Sequence, residues 1–280
     1  MGLTFVPTPL GNLRDVTLRA LEVLRACDLI VAEDTRVTRR LLSAYGIAGK
    51  TLWSYREQNA AAVTPAILER AAGSSVAVVS DAGTPGISDP GRDLIRAARA
   101  AGVAVDVLPG PVAFVCAAVL SGFELEGLVF GGFVPRTAGA REAILRTALG
   151  RSAASAFYES PRRILTTLEV LQKLAPNAHL FLARELTKLH EQQILGTPEN
   201  VRCALEQPVR GEIVLVIEGS ALEREHLGTV DLEARVDALL EAGLSVAGVA
   251  KRLANEGAGE RAEVYALAAA RKRARGASER

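Results

Sequence analysis

Short apolar runs alternate with helical patterns in residues 1–122 of the chain. The apolar runs predict β-strands at residues 3–6, 28–32, 76–79 and 103–108, each followed by a loop that contains Pro, Gly or acidic residues. Helical spacing predicts helices at residues 17–27, through Leu41 and Leu42 to about Gly46, and at residues 93–101. Strands that are apolar throughout and alternate with helices predict a parallel sheet with helices on both faces.

The alternation restarts after residues 121–124 and predicts a second α/β domain at residues 123–225. Its strands are predicted at residues 129–134, 153–158, 180–183 and 213–217, and its helices at residues 141–149 and 162–174. Residues 230–280 form a third unit of short helices, with a turn at Gly257-Ala258-Gly259. This unit resembles a helix-turn-helix, and a small helical cap on the surface is the alternative. The predicted fold class is therefore α/β, with two α/β domains and a small C-terminal helical domain.

The loop at residues 80–91 reads SDAGTPGISDPG and is the most distinctive segment of the chain. Glycine permits close approach of backbone to a ligand, and proline lowers the cost of ordering a loop. Asp81 or Asp89 could accept hydrogen bonds from an amine or from ribose hydroxyls, whereas a tight surface turn with capping aspartates is the alternative. Because ligands bind at the carboxyl ends of parallel strands, this loop and those at residues 7–12 and 108–111 predict one ligand crevice.

Composition limits the classes of function that fit. The 33 Lys and Arg residues balance 32 Asp and Glu residues, so attraction to nucleic acid must be local, for example at the basic run of residues 271–275. That run contacts RNA or is simply a solvated tail. The three cysteines have no disulfide or zinc spacing and are predicted to be small core residues. The first residues do not form a signal peptide, and the longest apolar stretch, near residues 112–120, is too short for a membrane span, so we expect a cytoplasmic protein without a membrane partner.

Several motifs, in order along the chain, resemble the tetrapyrrole methylase superfamily, and in particular its branch that methylates RNA of the small ribosomal subunit. They lie at residues 6–13, 32–36, 80–91, 108–111, 157–160, 183–188, 211–212 and 218–219. Relatives that modify tetrapyrroles tend to begin with a Val-Gly-x-Gly-Pro-Gly loop, whereas this chain has Pro7-Thr8-Pro9-Leu10-Gly11. Val37 departs from the pattern, because relatives often have histidine there.

The resemblance implies two α/β domains with S-adenosylmethionine in the cleft between them, usually in a homodimer. It also implies transfer of a methyl group to the 2′-hydroxyl of a cytidine in the decoding region of 16S ribosomal RNA, as naked RNA or in the 30S particle. A tetrapyrrole methyltransferase and a non-catalytic RNA-binding protein are the alternatives.

Residue roles are predicted from this chemistry. A sulfonium loses its charge in the transition state, so backbone carbonyls and apolar walls suit it better than a carboxylate. The predicted cofactor-binding residues are Pro9, Gly11, Asp81, Gly83, Thr84, Pro85, Asp89, Pro109, Gly110, Pro111 and Tyr158. Tyr158 is predicted to stack on a base or on adenine, with core packing as the alternative.

The acceptor hydroxyl must lose its proton, and RNA must be held. The predicted catalytic residues are Glu185, Lys188 and Asp34, with one carboxylate accepting the proton while Lys188 or Arg36 grips a phosphate. An ordinary surface ion pair between Glu185 and Lys188 is the alternative. The predicted RNA-binding residues are Arg36, Arg39, Arg184, Arg271, Lys272 and Arg273. No metal site is predicted.

Overall fold

The computed structural model describes residues 1–219, 232–255 and 261–278. These residues form two five-stranded sheets with flanking helices and a separate group of three helices. No helix among them is long and apolar enough to cross a bilayer. The predicted turn at Gly257-Ala258-Gly259 lies outside the described residues.

The first sheet is parallel throughout, as predicted, with the strand order β3-β2-β4-β1-β5. Its strands are β1 (Gly2–Phe5), β2 (Leu29–Ala32), β3 (Thr51–Ser54), β4 (Ser75–Val79) and β5 (Val105–Val107). The accompanying helices are α1 (Leu18–Ala26), α2 (Thr35–Ala44), α3 (Ala60–Gly73) and α4 (Arg92–Ala100).

Alternate residues of the central strands belong to two separate cores. On β4, Val76 and Val78 pack in one core, and Ala77 and Val79 pack in the other. The first core includes Ile67 of α3, and the second includes Leu24 of α1 and other helical residues. Both faces of the sheet are therefore covered, which explains why β2 is apolar at every position and why β4 is apolar after Ser75.

The second sheet is mixed, with the strand order β6-β7-β10-β8-β9. Its strands are β6 (Val129–Phe133), β7 (Ser155–Glu159), β8 (Leu180–Arg184), β9 (Gln192–Gly196) and β10 (Ile213–Ile217), and its helices are α6 (Ala138–Leu149), α7 (Ile164–Leu174) and α8 (Pro198–Ala204). Strands β6 and β7 are parallel, and β10 runs antiparallel to both β7 and β8. The start of β10 therefore lies beside the ends of β7 and β8. Cys203 of α8 is exposed, so the prediction that every cysteine is a core residue was wrong.

Helix α5 (Ala113–Ser121) follows the first sheet in sequence but packs on the second. Its residue Ala117 shares a core with Phe181 and Val214 of that sheet. The domain boundary predicted at residue 122 places α5 in the first domain, whereas α5 packs against the second sheet.

Three C-terminal helices, α9 (Leu232–Glu241), α10 (Val246–Asn255) and α11 (Arg261–Ser278), form a small bundle. Its core contains Val236, Val249, Leu253 and Val264. The bundle agrees with the small C-terminal helical domain of the predicted fold class.

Candidate active site

Three loops at the carboxyl end of the first sheet meet in space, as their composition predicts. Thr8 and Gly83 exchange two backbone hydrogen bonds of 2.9 Å, and the Thr84 hydroxyl donates to the Pro111 carbonyl at 3.0 Å. A Cβ at Gly110 would lie 2.3 Å from Cγ of Pro7, so only glycine lets these two loops touch. The loops after β1, β4 and β5 thus form one continuous surface.

A cavity of about 300 Å³ lies between this surface and the second sheet. Its size is at the lower end of the roughly 300–1,000 Å³ typical of small-molecule sites. The first sheet and its loops contribute, among others, Leu10, Gly83, Thr84, Ser88 and Asp89, and the second sheet contributes, among others, Phe133, Tyr158, Ser160, Leu186, Gly211, Glu212, Ile213 and Val214.

Four of the predicted cofactor-binding residues line the cavity, namely Gly83, Thr84, Asp89 and Tyr158. The other predicted cofactor-binding residues are not among those that line it, namely Pro9, Gly11, Asp81, Pro85, Pro109, Gly110 and Pro111. Residues Phe133 and Glu212 were not among the predicted site residues. Their positions at the cavity depend on the pairing of strands that are distant in sequence. For Glu212, the motif at residues 211–212 was a sequence feature that could have indicated a site residue.

Carboxylates give the cavity a negative character. Burial, and then the neighbouring Glu33 and Asp81, raise the pKa of Asp89 to about 6. Burial also raises the pKa values of Asp81 and Glu33; the charge of Asp81 adds to the shift of Glu33, and the charges of Asp34 and Glu212 add to that of Asp81. A group of carboxylates that repel one another is stabilised by a bound cation.

Tyr158 belongs to an aromatic cluster at the cavity wall. Its ring meets Phe130 and Phe133 edge to face, with centroid distances of 5.0 Å and 5.5 Å. Burial raises the pKa of Tyr158 to about 12, so the phenol stays neutral. The side chain therefore packs in a core and also lines the cavity, and its stacking on a base or on adenine stays a prediction.

The predicted pair of Glu185 and Lys188 is present and includes a third residue. The Lys188 ammonium lies 2.8 Å from Glu185 Oε1 and 2.9 Å from Glu212 Oε2. Glu185 Oε1 also accepts the Glu212 backbone N–H at 3.0 Å, and the Glu185 N–H donates to the Glu212 carbonyl at 2.9 Å. Both the backbone and the carboxylate of Glu212 are thereby fixed at the cavity.

Ion pairing changes what Glu185 and Lys188 can do. Burial alone would raise the pKa of Glu185, but the bonds from Lys188 and from the Glu212 backbone lower it. Burial alone would lower the pKa of Lys188, but the carboxylates of Glu185 and Glu212 raise it. Because its ammonium is bound to two carboxylates, Lys188 is not available to grip a phosphate.

Asp34 has a structural role at the start of α2. Its carboxylate accepts the backbone N–H of Arg36 at 2.8 Å and pairs with the Arg36 and Arg56 side chains. The hydrogen bonds from the Arg36 side chain and backbone hold the pKa of Asp34 well below its usual value. Because of these contacts, Asp34 is poorly suited to the predicted role of proton acceptor. Arg36 is likewise poorly suited to the predicted role of phosphate ligand.

Arg184 does not fit its predicted role in RNA binding. Its side chain is 6% exposed and donates to Gln192 Oε1 at 2.8 Å, Glu206 Oε2 at 2.7 Å and the Arg210 carbonyl at 3.4 Å. It holds β8, β9 and the loop before β10 together. Arg271 is similarly engaged, because it pairs with Glu233 and Asp237, whereas Arg39, Lys272 and Arg273 are exposed.

We expect Arg184→Ala to lower stability by about 1–3 kcal/mol, because it leaves polar partners of a buried side chain unsatisfied. RNA affinity should not change. Denaturant unfolding and RNA titration of the variant measure the two effects. Weakened RNA binding by a variant of wild-type stability would restore a role for Arg184 in holding RNA.

Comparison with known proteins identifies the class of this two-domain fold and then the family. The fold is similar to three solved structures. Uroporphyrin-III-C-methyltransferase from Thermus thermophilus is 21% identical, with 77% of this chain and 93% of that chain covered and a TM-score of 0.56. Diphthine synthase is 16% identical (80% of this chain, 93% of that chain, TM-score 0.60), and the methyltransferase CobJ is 24% identical (79% of this chain, 95% of that chain, TM-score 0.61). Residues 2–202 match the sequence model of the Tetrapyrrole (Corrin/Porphyrin) Methylases. The chain belongs to this family.

Curated relatives share much higher identity. A protein of Hydrogenobaculum sp. is 43% identical over 221 residues, which are 78% of this chain and 95% of the relative. A protein of Streptococcus pyogenes serotype M1 is 39% identical over 267 residues, which are 94% of this chain and 93% of the relative. A Synechocystis sp. protein is 38% identical over 272 residues (95% and 97%). All three are named Ribosomal RNA small subunit methyltransferase I. The chain is accordingly a methyltransferase, and its cofactor is S-adenosylmethionine.

The cavity suits this cofactor. Apolar walls from Leu10, Ile213 and Val214 accept a nucleoside ring, while Asp89 and the backbone of the loop at residues 80–91 offer acceptors to amine and hydroxyl groups. The negative character of the cavity matches a ligand that carries a sulfonium and an ammonium. Among the described residues no group of three or more His, Cys, Asp or Glu could hold a metal ion.

Proposed function

We propose that the protein methylates the 2′-hydroxyl of a cytidine in the decoding region of 16S ribosomal RNA. The observation that carries the proposal is the likeness to relatives named for methylating small-subunit ribosomal RNA, which spans 94–95% of this chain and includes the helical bundle. The first loop, with Pro7-Thr8-Pro9-Leu10-Gly11 in place of the glycine-rich loop of tetrapyrrole-modifying relatives, supports the same choice.

Glu212 is the residue that accepts the proton in this proposal. Bound S-adenosylmethionine supplies an electrophilic methyl group, which a ribose oxygen attacks as its own proton leaves. Glu212 lines the cavity, its carboxylate side chain is 74% exposed, and Oε1 makes no hydrogen bond with any residue that the structure describes. Glu185 and Lys188 act as positioning residues, because they hold the backbone and the other carboxylate oxygen of Glu212.

The cofactor is held on the opposite side of the cavity. Asp89 faces it from the loop after β4, and Gly83 and Thr84 form the adjoining wall. Tyr158 and Phe133 form an apolar wall between the two sheets. In-line placement of methyl donor and hydroxyl is the main source of acceleration, worth roughly 7–11 kcal/mol in well-oriented reactions.

Transfer of labelled methyl groups to three acceptors, measured side by side, tests the proposal. The acceptors are 30S particles that lack the modification, naked 16S RNA and a tetrapyrrole. We expect label in cytidine of the RNA or the particle and none in the tetrapyrrole. Label only in the tetrapyrrole would support the other activity of the family, and cofactor binding with no RNA or tetrapyrrole product would contradict both.

We also propose a cytoplasmic homodimer in which α5 lies at the interface. This helix is apolar on every side, and only one side packs on the second sheet. Val115, Val119 and Leu120 remain 45%, 65% and 46% exposed on the other side. A cluster of this kind is typical of a protein–protein contact.

We expect Val119→Asp to convert a dimer into a folded monomer, since it places a charge in an apolar interface without disturbing the packed side of α5. Light scattering after gel filtration gives the mass. Leu18→Asp is the control, because Leu18 is also exposed, at 78%, but lies on α1. A Val119→Asp protein that is still dimeric would place the interface elsewhere.

A further inference from the structure

The cations predicted to grip phosphate are already engaged, but two other arginines beside the cavity are not. Lys188 is bound by Glu185 and Glu212, and Arg36 is bound by Asp34. Arg136 and Arg162 are exposed, and neither guanidinium pairs with any residue in the described part of the chain. Both follow strands of the second sheet at the end that faces the cavity, in the loops after β6 and β7.

These two arginines line a groove that is continuous with the cofactor cavity. The groove has a volume of about 650 Å³ and is formed by Phe133, Val134, Pro135, Arg136, Ser160, Arg162 and Arg163. Phe133 and Ser160 line the groove and the cavity alike. A chain lying in the groove therefore leads directly to the place where the methyl group is transferred.

The floor of the groove is rigid. Arg163 donates to the Val134 carbonyl at 2.8 Å and pairs with the buried Glu159 at 2.6 Å. Glu159 also accepts the Thr167 hydroxyl at 2.7 Å and the Ser160 N–H at 2.7 Å. Because Arg163 neutralises Glu159 inside the protein, the two exposed arginines set the charge of the groove.

Charge and helix geometry both favour an anion in the groove. Helix α6 begins after Thr137 and α7 begins after Arg163, and neither N-cap side chain bonds to the first-turn N–H groups. The positive ends of two helices thus point to the same end of the sheet as the arginines. The adjoining cavity is negative, at Asp89 and Glu212, which separates the site of a cationic cofactor from the site of an anionic substrate.

An aromatic platform lies between the two regions. Phe133 is 55% exposed, although Tyr158 meets one side of its ring edge to face. Unpaired RNA bases stack on such exposed rings, and arginine beside the ring binds the neighbouring phosphate.

We propose that the groove of Phe133, Arg136 and Arg162 is the RNA subsite next to the acceptor nucleotide: Arg136 and Arg162 bind its flanking phosphate, and Phe133 stacks on an adjacent base. The inference rests on the proposed function, because it supplies the RNA contact that this function needs. The ligand class is single-stranded RNA, held by its backbone and by stacking.

The test compares the double variant Arg136→Ala/Arg162→Ala with Arg96→Ala/Arg99→Ala, which removes the same charge from the exposed side of α4. Binding of a labelled single-stranded RNA with decoding-region sequence is titrated at several salt concentrations, and S-adenosylmethionine binding is measured by calorimetry. We expect the groove variant to bind RNA at least about tenfold more weakly, with normal cofactor affinity. The log–log slope of its RNA affinity against salt should fall by about 0.7 for each phosphate that the variant no longer binds.

Phe133→Leu keeps an apolar side chain and removes the stacking ring, so it should weaken RNA binding with little change in the salt slope. Groove variants that bind RNA as the wild type does would overturn the inference, and so would a wild-type protein without RNA affinity. The methyl-transfer assay is read separately. Loss of RNA binding in the groove variant would support the subsite even if the wild type methylates another position, which would contradict only the proposed function.

Discussion

Replacing Glu212 by glutamine is expected to lower kcat for methyl transfer by about 10²–10⁴-fold, the usual effect of removing a general base. The amide keeps the size of the side chain but cannot take the hydroxyl proton. The Kd for S-adenosylmethionine should change little, because Asp89 and the loop at residues 80–91 remain intact. Single-turnover methyl transfer to 30S particles and calorimetry of cofactor binding measure the two quantities.

Glu126→Gln is the matched control, because Glu126 is exposed and lies away from the cavity lining. Lys188→Ala should also lower kcat, because the Glu212 carboxylate is then no longer held in place. The loss should be smaller than in Glu212→Gln, because the carboxylate is still present. Lys188→Arg retains a cation between Glu185 and Glu212 and should recover most of the loss. Normal kcat in Glu212→Gln would remove this residue from the mechanism.

Replacing Asp89 by asparagine is expected to weaken S-adenosylmethionine binding by roughly 10–100-fold, as expected for loss of a charge-assisted hydrogen bond. The pKa of Asp89 in the free protein is raised to about 6, so the carboxyl is protonated below that pH and ionised above it. Wild-type affinity should therefore rise as the pH increases through about 6 and level off about one unit above that pKa. In Asp89→Asn this rise should disappear.

The titration is best measured between pH 5 and 7, because the amine of the cofactor loses its charge near the roughly 7.7–8.0 of an α-amino group. Asp93→Asn is the control, since Asp93 is exposed on α4 and forms an ion pair with the neighbouring Arg92. Equal affinity and equal pH dependence of wild type and Asp89→Asn would show that Asp89 does not face the bound cofactor.

The central strands could be predicted from sequence because the protein buries nearly all of their residues. Residues 213–217 of β10 are all buried and apolar, and the predicted bounds match the structure. Strand β3 was not predicted, because it lies at a sheet edge and is partly exposed, and α3 was not predicted, because Pro65 interrupts its helical pattern. Helix α8 was also missed, although Thr197-Pro198 is a typical signal for a helix start.

The site could be predicted on one side only. The composition of the loop at residues 80–91 indicates a ligand site, so Gly83, Thr84 and Asp89, which line the cavity, were among the predicted residues. Glu212 and Phe133 reach the cavity because β10 pairs with β7 and because β6 ends beside β7, and these are contacts between distant segments. Partners of charged residues are equally non-local: the ion pair of Lys188 with Glu185 was an alternative from sequence, but its second partner, Glu212, lies 24 residues away and could not be recognised.

The central claim is that S-adenosylmethionine binds between the two sheets, with the acceptor side of the cavity at Glu212. A crystal structure with bound S-adenosylhomocysteine, the product of the reaction, tests this most directly. We expect the nucleoside to contact Gly83, Thr84 and Asp89, with its sulfur directed toward the side of the cavity where Glu212 lies. A product molecule bound outside this cavity, or inside it with Glu212 far from the sulfur, would contradict the claim.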